Sequence, residues 1–249
     1  CIRDRECKEK GIRTLAIVNV VGSSIAREAD HVFYTLAGPE IAVATTKAYS
    51  TQLIATYTLA IQFAKIRGQI TDEQYTGYIE ELKTIPDKIS RIIEDKERLQ
   101  WFASKQANSK DVFFIGRGID YAISMEGSLK MKEISYIHSE AYAAGELKHG
   151  TIALIEDGTP VIALLSDAVL ASHTRGNIQE VAARGAKVLT IAEENIAKEG
   201  DDIVLNNVHP YLSPISMVVP TQLIAYFATL HRGLDVDKPR NLAKSVTVE

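Results

Sequence analysis

Residues 9–17 read EKGIRTLAI and residues 183–191 read ARGAKVLTI, an offset of 174 residues. A second echo follows at an offset of 170, where TQLIA stands both at 51–55 and at 221–225. Between these anchors the two stretches run in the same order. A helix end with Gly leads to an apolar strand, a polar connection, a second strand (HVFYT at 31–35, DIVLNN at 202–207), a loop and an apolar helix. One five-residue identity is within reach of chance. Two anchors in the same order at nearly equal offset mark a duplicated α/β unit.

The later copy starts well before its anchor, with DVFFIG at 111–116 and PVIALLS at 160–166 as further apolar strands. The earlier copy has only eight residues ahead of its anchor. It therefore lacks most of an opening strand–helix–strand section, which was cut away or belongs to a longer parent. Cys1 then falls in the middle of a helix, a plainer reading than an N-terminal cysteine nucleophile using its own amine as base. Strands are expected near 13–18, 31–35, 112–115, 161–165, 187–191 and 203–206, with helices between most of them, the pattern of parallel sheets layered by helices. Residues 46–67 make one long apolar helix. Residues 71–105 carry mixed-charge helices interrupted near Pro86 and join the halves. The division expected is 1–105, 106–233 and a tail at 234–249.

Composition sets outer limits. The 249 residues are 46% hydrophobic and 24% charged, enough apolar material for a core. With 28 basic against 32 acidic residues the net charge is −4, without the basic excess of a dedicated nucleic-acid binder. No apolar run in the sequence approaches the roughly 18 residues of a bilayer span. The two cysteines can build neither a disulfide framework nor a zinc ligand set, and a reducing, cytoplasmic setting is the simplest expectation. The histidines show no metal-ligand spacing, and no metal or cofactor is expected.

The segment IDYAISMEGSLKMKEISYIH, residues 119–138, carries the most chemistry. At roughly 100° per residue, Glu126, Lys130 and Glu133 fall within about 60° of one another on a helix. Their angular neighbours are Ala122, Ile123, Leu129, Ile134 and Ile137, whereas Ser124, Ser128 and Ser135 lie opposite. Ionisable groups in an apolar stripe must pair or line a wet pocket, because an unpartnered buried charge is costly. A structural ion network or a subunit interface satisfies this as well as a proton shuttle does. The next stretch, EAYAAGELKHGT at 140–151, reads as a Gly-punctuated connection carrying Glu140, Glu146, Lys148 and His149. His149 has the chemistry of a general acid or base, though a solvated surface histidine is the plainer reading from the residues alone. GRG at 116–118 and GSS at 22–24 are weak phosphate-loop signals. ATTK at 44–47 is a helix start with Thr45 or Thr46 as N-cap. In the tail, Lys244 is flanked by Leu242, Ala243, Val246 and Val248. Packing of these residues onto the body would carry its amine into a less polar place, as suits a nucleophile toward a carbonyl.

GPEIAVATTKAYSTQL (38–53), EGSLKMKEISYIHSEAYAAGELKHG (126–150) and DKPRNLAKSVTVE (237–249) resemble the isomerase half of glutamine–fructose-6-phosphate aminotransferases, and the resemblance spans the whole chain. It implies an α/β fold of two tandem sugar-isomerase (SIS) three-layer domains with parallel sheets, the first truncated at its N-terminus. It also implies a substrate, fructose 6-phosphate, and a product, glucosamine 6-phosphate. Lys244 would form a Schiff base with C2 of the open-chain ketose. Glu133 would move a proton between C1 and C2. His149 would help open the ring, reaching the site from the second subunit of a homodimer. Lys130 and Glu126 would assist proton transfer and hold Lys244, and Val43, Thr45 and Ala243 would line the sugar. The family's phosphate loop and its glutaminase domain lie upstream of these residues. Thr45, where the family usually has Ser, and Thr151, where Pro commonly follows KHG, depart from its pattern. A non-catalytic SIS module sensing a sugar phosphate, or another SIS enzyme such as a sugar–amine deglycase, are the competing readings. The joint presence of Lys244, Glu133 and His149 argues against the first, and the NLAKSVTVE ending against the second.

Overall fold

The structure, a computed structural model, describes residues 2–244, with side chains from Arg5 onward. Cys1 and Ser245–Glu249, on which parts of the helix and tail expectations fall, lie outside the described residues. The chain divides into two compact units, residues 1–76 and 77–249.

In the first unit, helix α1 (Ile2–Glu9) precedes strand β1 (Leu15–Val18), the short helix α2 (Ser24–Glu28) and strand β2 (His31–Tyr34). The two strands pair in parallel with Leu15 opposite His31 and Val18 opposite Tyr34. Side chains fix the register at both ends. Thr14 N–H donates to Asp30 Oδ2 at 2.8 Å, and Asp30 N–H to Thr14 Oγ1 at 3.1 Å. Beyond the strands, Asn19 Oδ1 accepts from Ala37 N–H at 2.8 Å. Helix α3 (Lys47–Ile66) follows, with Thr46 in the N-cap position but without a side-chain cap bond. This unit holds a two-stranded parallel sheet, few strands for an α/β layer.

Helix α4 (Asp72–Glu94) runs straight through Pro86, where an interruption is expected from the sequence, and the chain breaks at Asp95 instead, before α5 (Lys96–Gln106). Proline forfeits one backbone bond there. Burial of Ile85 and Ile92 on the same helix offsets that loss.

The second unit is built on a five-stranded parallel sheet, ordered β4-β3-β5-β6-β7. Its strands are β3 (Asp111–Gly116), β4 (His138–Ala143), β5 (Pro160–Leu165), β6 (Lys187–Glu193) and β7 (Ile203–Leu205). The central strands β3 and β5 are almost wholly buried, which is why they read as unbroken apolar runs. Phe113, Ile115, Val161 and Ala163 point to one face and pack with Val181 of α7 (Ala171–Ala182). Phe114 points to the other, against α6 (Ile119–Lys130) and α8 (Ser213–His231). The result is three layers.

α8 differs from its sequence reading in one respect. Residues Pro210–His231 are long and apolar enough to cross a membrane, but 83% of that window is buried in the fold. It is a core helix, apolar nearly all round because α5, α6 and the sheet enclose it. Its buried Ser216, Thr221 and Thr229 hydroxyls each donate to a backbone carbonyl of the same helix, which satisfies these three.

Candidate active site

The informative segment is not one helix. α6 ends at Lys130, and a π turn follows over Met131–Ser135. Ser135 Oγ donates to the Met131 carbonyl at 2.6 Å within that turn. Tyr136 closes it in the left-handed region at φ 59°. Where a connection is expected from the sequence, the chain then forms β4 and two 3₁₀ turns, Ala144–His149 and Thr151–Leu154. π turns of this kind re-aim the side chains they carry, and Glu133 sits in this one.

The faces of α6 also differ from expectation. Ser124, Ser128 and Ser135 are fully buried, whereas Met125 and Leu129 are 47% and 41% exposed. Small side chains let α8 approach. A Cβ on Gly127 would meet Phe114 and Thr221 at 2.8 Å, so the serine face is the packing face. Of the apolar residues flanking the charges, Ile123, Ile134 and Ile137 are buried as well, and Leu129 is open.

Glu126, Lys130 and Glu133 do converge. Lys130 is 3% exposed, and its Nζ donates to Glu133 Oε2 at 2.5 Å. It also lies 3.5 Å from Glu126 Oε1, an ion pair too poorly aligned for a hydrogen bond. Burial pushes the Glu126 carboxyl up, and the Lys130 ammonium opposes that shift. One buried cation thus holds two carboxylates, the less buried of which, Glu133, opens onto a groove shared with Arg240, Asn241 and Leu242 of the tail. A carboxylate fixed by an ammonium on one side and open to a cleft on the other is placed to take and return a proton.

The described part of the tail, through Lys244, packs by other residues than the apolar ones beside Lys244. Pro239 is buried, but Leu242 is 43% exposed and Lys244 is exposed. The anchor is Arg240, whose N–H donates to Tyr136 Oη at 2.6 Å and whose guanidinium lies 4.2 Å from the centre of the Tyr136 ring. Of the apolar flanks of Lys244, the described Leu242 and Ala243 are exposed and do not hold the tail. Ala243 is exposed beside it, and His149 is exposed at the end of its 3₁₀ turn. Val43 and Thr45 are half-buried in the first unit, just ahead of α3.

GSS at 22–24 leads into α2, and GRG at 116–118 leads into α6. α2 has five residues. In the first turn of α6 the buried carboxylate of Asp120 already accepts from Ser166 N–H at 2.9 Å and Ser166 Oγ at 2.5 Å. Burial raises the Asp120 pKa, with the Ser166 bonds opposing. Glu193, at the end of β6, is 1% exposed. Burial pushes its carboxyl up to about 7. Sequence reading missed Tyr136, Asp120 and Glu193. Asp120 carried a usable signal, an acidic residue two positions after the glycine that opens a helix. Among the described residues no set of three or more His, Cys, Asp or Glu side chains is arranged to hold a metal.

A layered parallel sheet, a duplicated strand–helix unit and a lysine–carboxylate cluster beside the tail define a protein of the sugar-isomerase class. The chain belongs to the SIS domain family, whose profile matches residues 4–62 and 106–232. It is 61% identical over 245 residues to a glutamine–fructose-6-phosphate aminotransferase [isomerizing] of Streptococcus pneumoniae, with 98% of this chain covered. It is 56% identical over 249 residues to the protein of that name from Caldanaerobacter subterraneus. The chain spans about 40% of the length of these curated relatives and matches their isomerase part. Among solved structures, the C-terminal domain of glucosamine-fructose-6-phosphate aminotransferase from Francisella tularensis superposes with a TM-score of 0.89 at 37% identity, covering 95% of this chain and 69% of that one. A glucosamine-6-phosphate deaminase from Thermotoga maritima superposes with a TM-score of 0.75 at 27% identity, covering 98% and 70%.

Proposed function

We propose that these residues are the sugar-phosphate isomerase part of a glutamine-dependent aminotransferase that makes glucosamine 6-phosphate from fructose 6-phosphate. The observation that carries the reading is the pinning of Glu133 by buried Lys130, on a groove shared with the lysine-bearing tail. In this reading the Lys244 amine attacks C2 of the open-chain ketose and expels water, giving an imine. Ammonia then displaces the lysine, leaving nitrogen on C2. Glu133 removes a proton from C1 and returns it to C2, while the C1 hydroxyl proton passes to nitrogen, so a ketose imine becomes an amino aldose. Lys130 holds Glu133 aimed, and Glu126 balances Lys130. His149 of a second subunit opens the ring, and Val43, Thr45 and Ala243 line the sugar.

The partners proposed are a glutaminase domain in the same parent chain, which supplies ammonia, and a second copy in a homodimer. The domain division proposed is 1–105, 106–233 and a catalytic tail at 234–249. The free thiol of Cys7 suits a reducing, cytoplasmic compartment.

The test is Glu133→Gln in the full-length enzyme that carries these residues. Shape is kept and the base is lost, so amino-sugar synthesis falls roughly 10²–10⁴-fold. A fall of less than about tenfold overturns the assignment.

A further inference from the structure

The geometry points to Tyr136 as a positioning residue that decides where the tail delivers the Lys244 amine, an inference that rests on the imine chemistry proposed above. Tyr136 lies three residues beyond Glu133 and ends the same π turn. It holds the tail in two ways. Its hydroxyl accepts the Arg240 backbone N–H at 2.6 Å, and its ring face carries the Arg240 guanidinium at 4.2 Å. On either side of this clamp the tail is conformationally constrained. Pro239 is buried, and Asn241 adopts φ 64°, a region in which asparagine is at ease and most residues are not.

One short segment therefore places both partners of the proposed reaction. Its third residue is the base, and its last fixes the leash of the amine. From Arg240 the four residues to Lys244 reach at most about 14 Å when extended. Without the clamp, the leash begins at Gly233, past the end of α8, and is eleven residues long. Closure probability falls as the three-halves power of length, so release dilutes the amine at the site about five-fold.

The prediction has one readout independent of chemistry. Trypsin cuts after Arg240, and the stacked guanidinium shields that bond. Tyr136→Ala in the 249-residue chain speeds cleavage at Arg240–Asn241 about five-fold. Tyr136→Phe, which keeps the ring and loses the acceptor, falls between. In the full-length enzyme with fructose 6-phosphate, Tyr136→Ala lowers kcat and the rate of borohydride trapping on Lys244 about five-fold, with the sugar KM unchanged. Arg240→Ala, which loosens the same clamp from the tail side, gives the same trapping defect should Tyr136→Ala fail to fold. Lys244→Arg serves as the control, since guanidinium stays protonated and forms no imine. Label that persists in Lys244→Arg refutes the imine reading itself. Label lost there, with Tyr136→Ala and Arg240→Ala trapping at the wild-type rate, leaves that reading standing and overturns the role of Tyr136.

Discussion

Replacing Lys130 by Met keeps the length of the side chain and removes its charge. In the wild type, Nζ stands 2.5 Å from Glu133 Oε2 and 3.5 Å from Glu126 Oε1. At an effective dielectric of about 20 these contacts have gross attractions of roughly 7 and 5 kcal/mol. Desolvation of all three groups offsets most of that sum, and breaking a buried pair by removing one partner costs about 3–5 kcal/mol net. At a urea slope of about 2 kcal/mol/M, the unfolding midpoint of Lys130→Met drops by roughly 2 M at pH 8. The pH dependence carries the sharper test. With the ammonium gone, Glu126, already pushed up by burial, loses the charge that opposes that shift, so its folded-state pKa rises further above the ordinary 4.5. A carboxyl with a raised folded pKa costs nothing below its unfolded value and destabilises progressively as pH climbs toward the raised one. The deficit should therefore be small at pH 4.5 and complete by pH 8, read from urea midpoints across that range. A deficit that does not change with pH, or none at all, refutes the claim that Lys130 acts through charge.

Glu193→Gln is expected to stabilise the second unit. The folded pKa of Glu193 is about 7 against an ordinary 4.5, so the wild type loses on the order of 3 kcal/mol as pH rises from about 4.5 to 7. The variant's thermal midpoint should stay flatter over that range and exceed the wild type's at pH 8; parallel pH profiles would sink this. Gly127→Ala places a methyl 2.8 Å from both Phe114 and Thr221. Overpacking of about 1–3 kcal/mol exceeds the roughly 1 kcal/mol gained in helix propensity, so the melting temperature should fall by a few degrees, and a rise would show that α6 and α8 separate freely.

The duplicated α/β plan and its strands were legible because β1, β3, β5 and β6 announce themselves as runs of Val, Ile and Leu. β4 was not. As an edge strand it carries His138, Glu140 and Tyr142 at alternate positions, with Ser139 buried between the first two, and such a stretch reads as a connection. The lysine–carboxylate cluster followed from helical spacing alone, since Glu126 to Lys130 is still regular helix. The π turn after Lys130 was hidden, because it depends on Ser135 bonding to the Met131 carbonyl. The tail anchor was hidden for a different reason. Tyr136 and Arg240 are 104 positions apart, and no local pattern links a tyrosine after one helix to an arginine in a late, aperiodic segment. Packing of α8 also amended the reading of α6, since the serines marked as its polar side are buried as a close-contact side along with Ile123, Ile134 and Ile137.

The place of α8 in the chain has a consequence for biosynthesis. This helix fills the space against α5 and the serine face of α6, yet among the described residues it is the last regular element to be made. At roughly 5–20 residues per second, the hundred residues between the end of α6 and the end of α8 take a ribosome about 5–20 s. For that interval α6 covers its face of the nascent sheet alone, with its small-residue side open to water or to whatever binds apolar chains. Folding of this unit cannot close by growing outward from its N-terminal strands. It waits for a helix that is itself too apolar to remain alone in solution, so completion is a single late docking event.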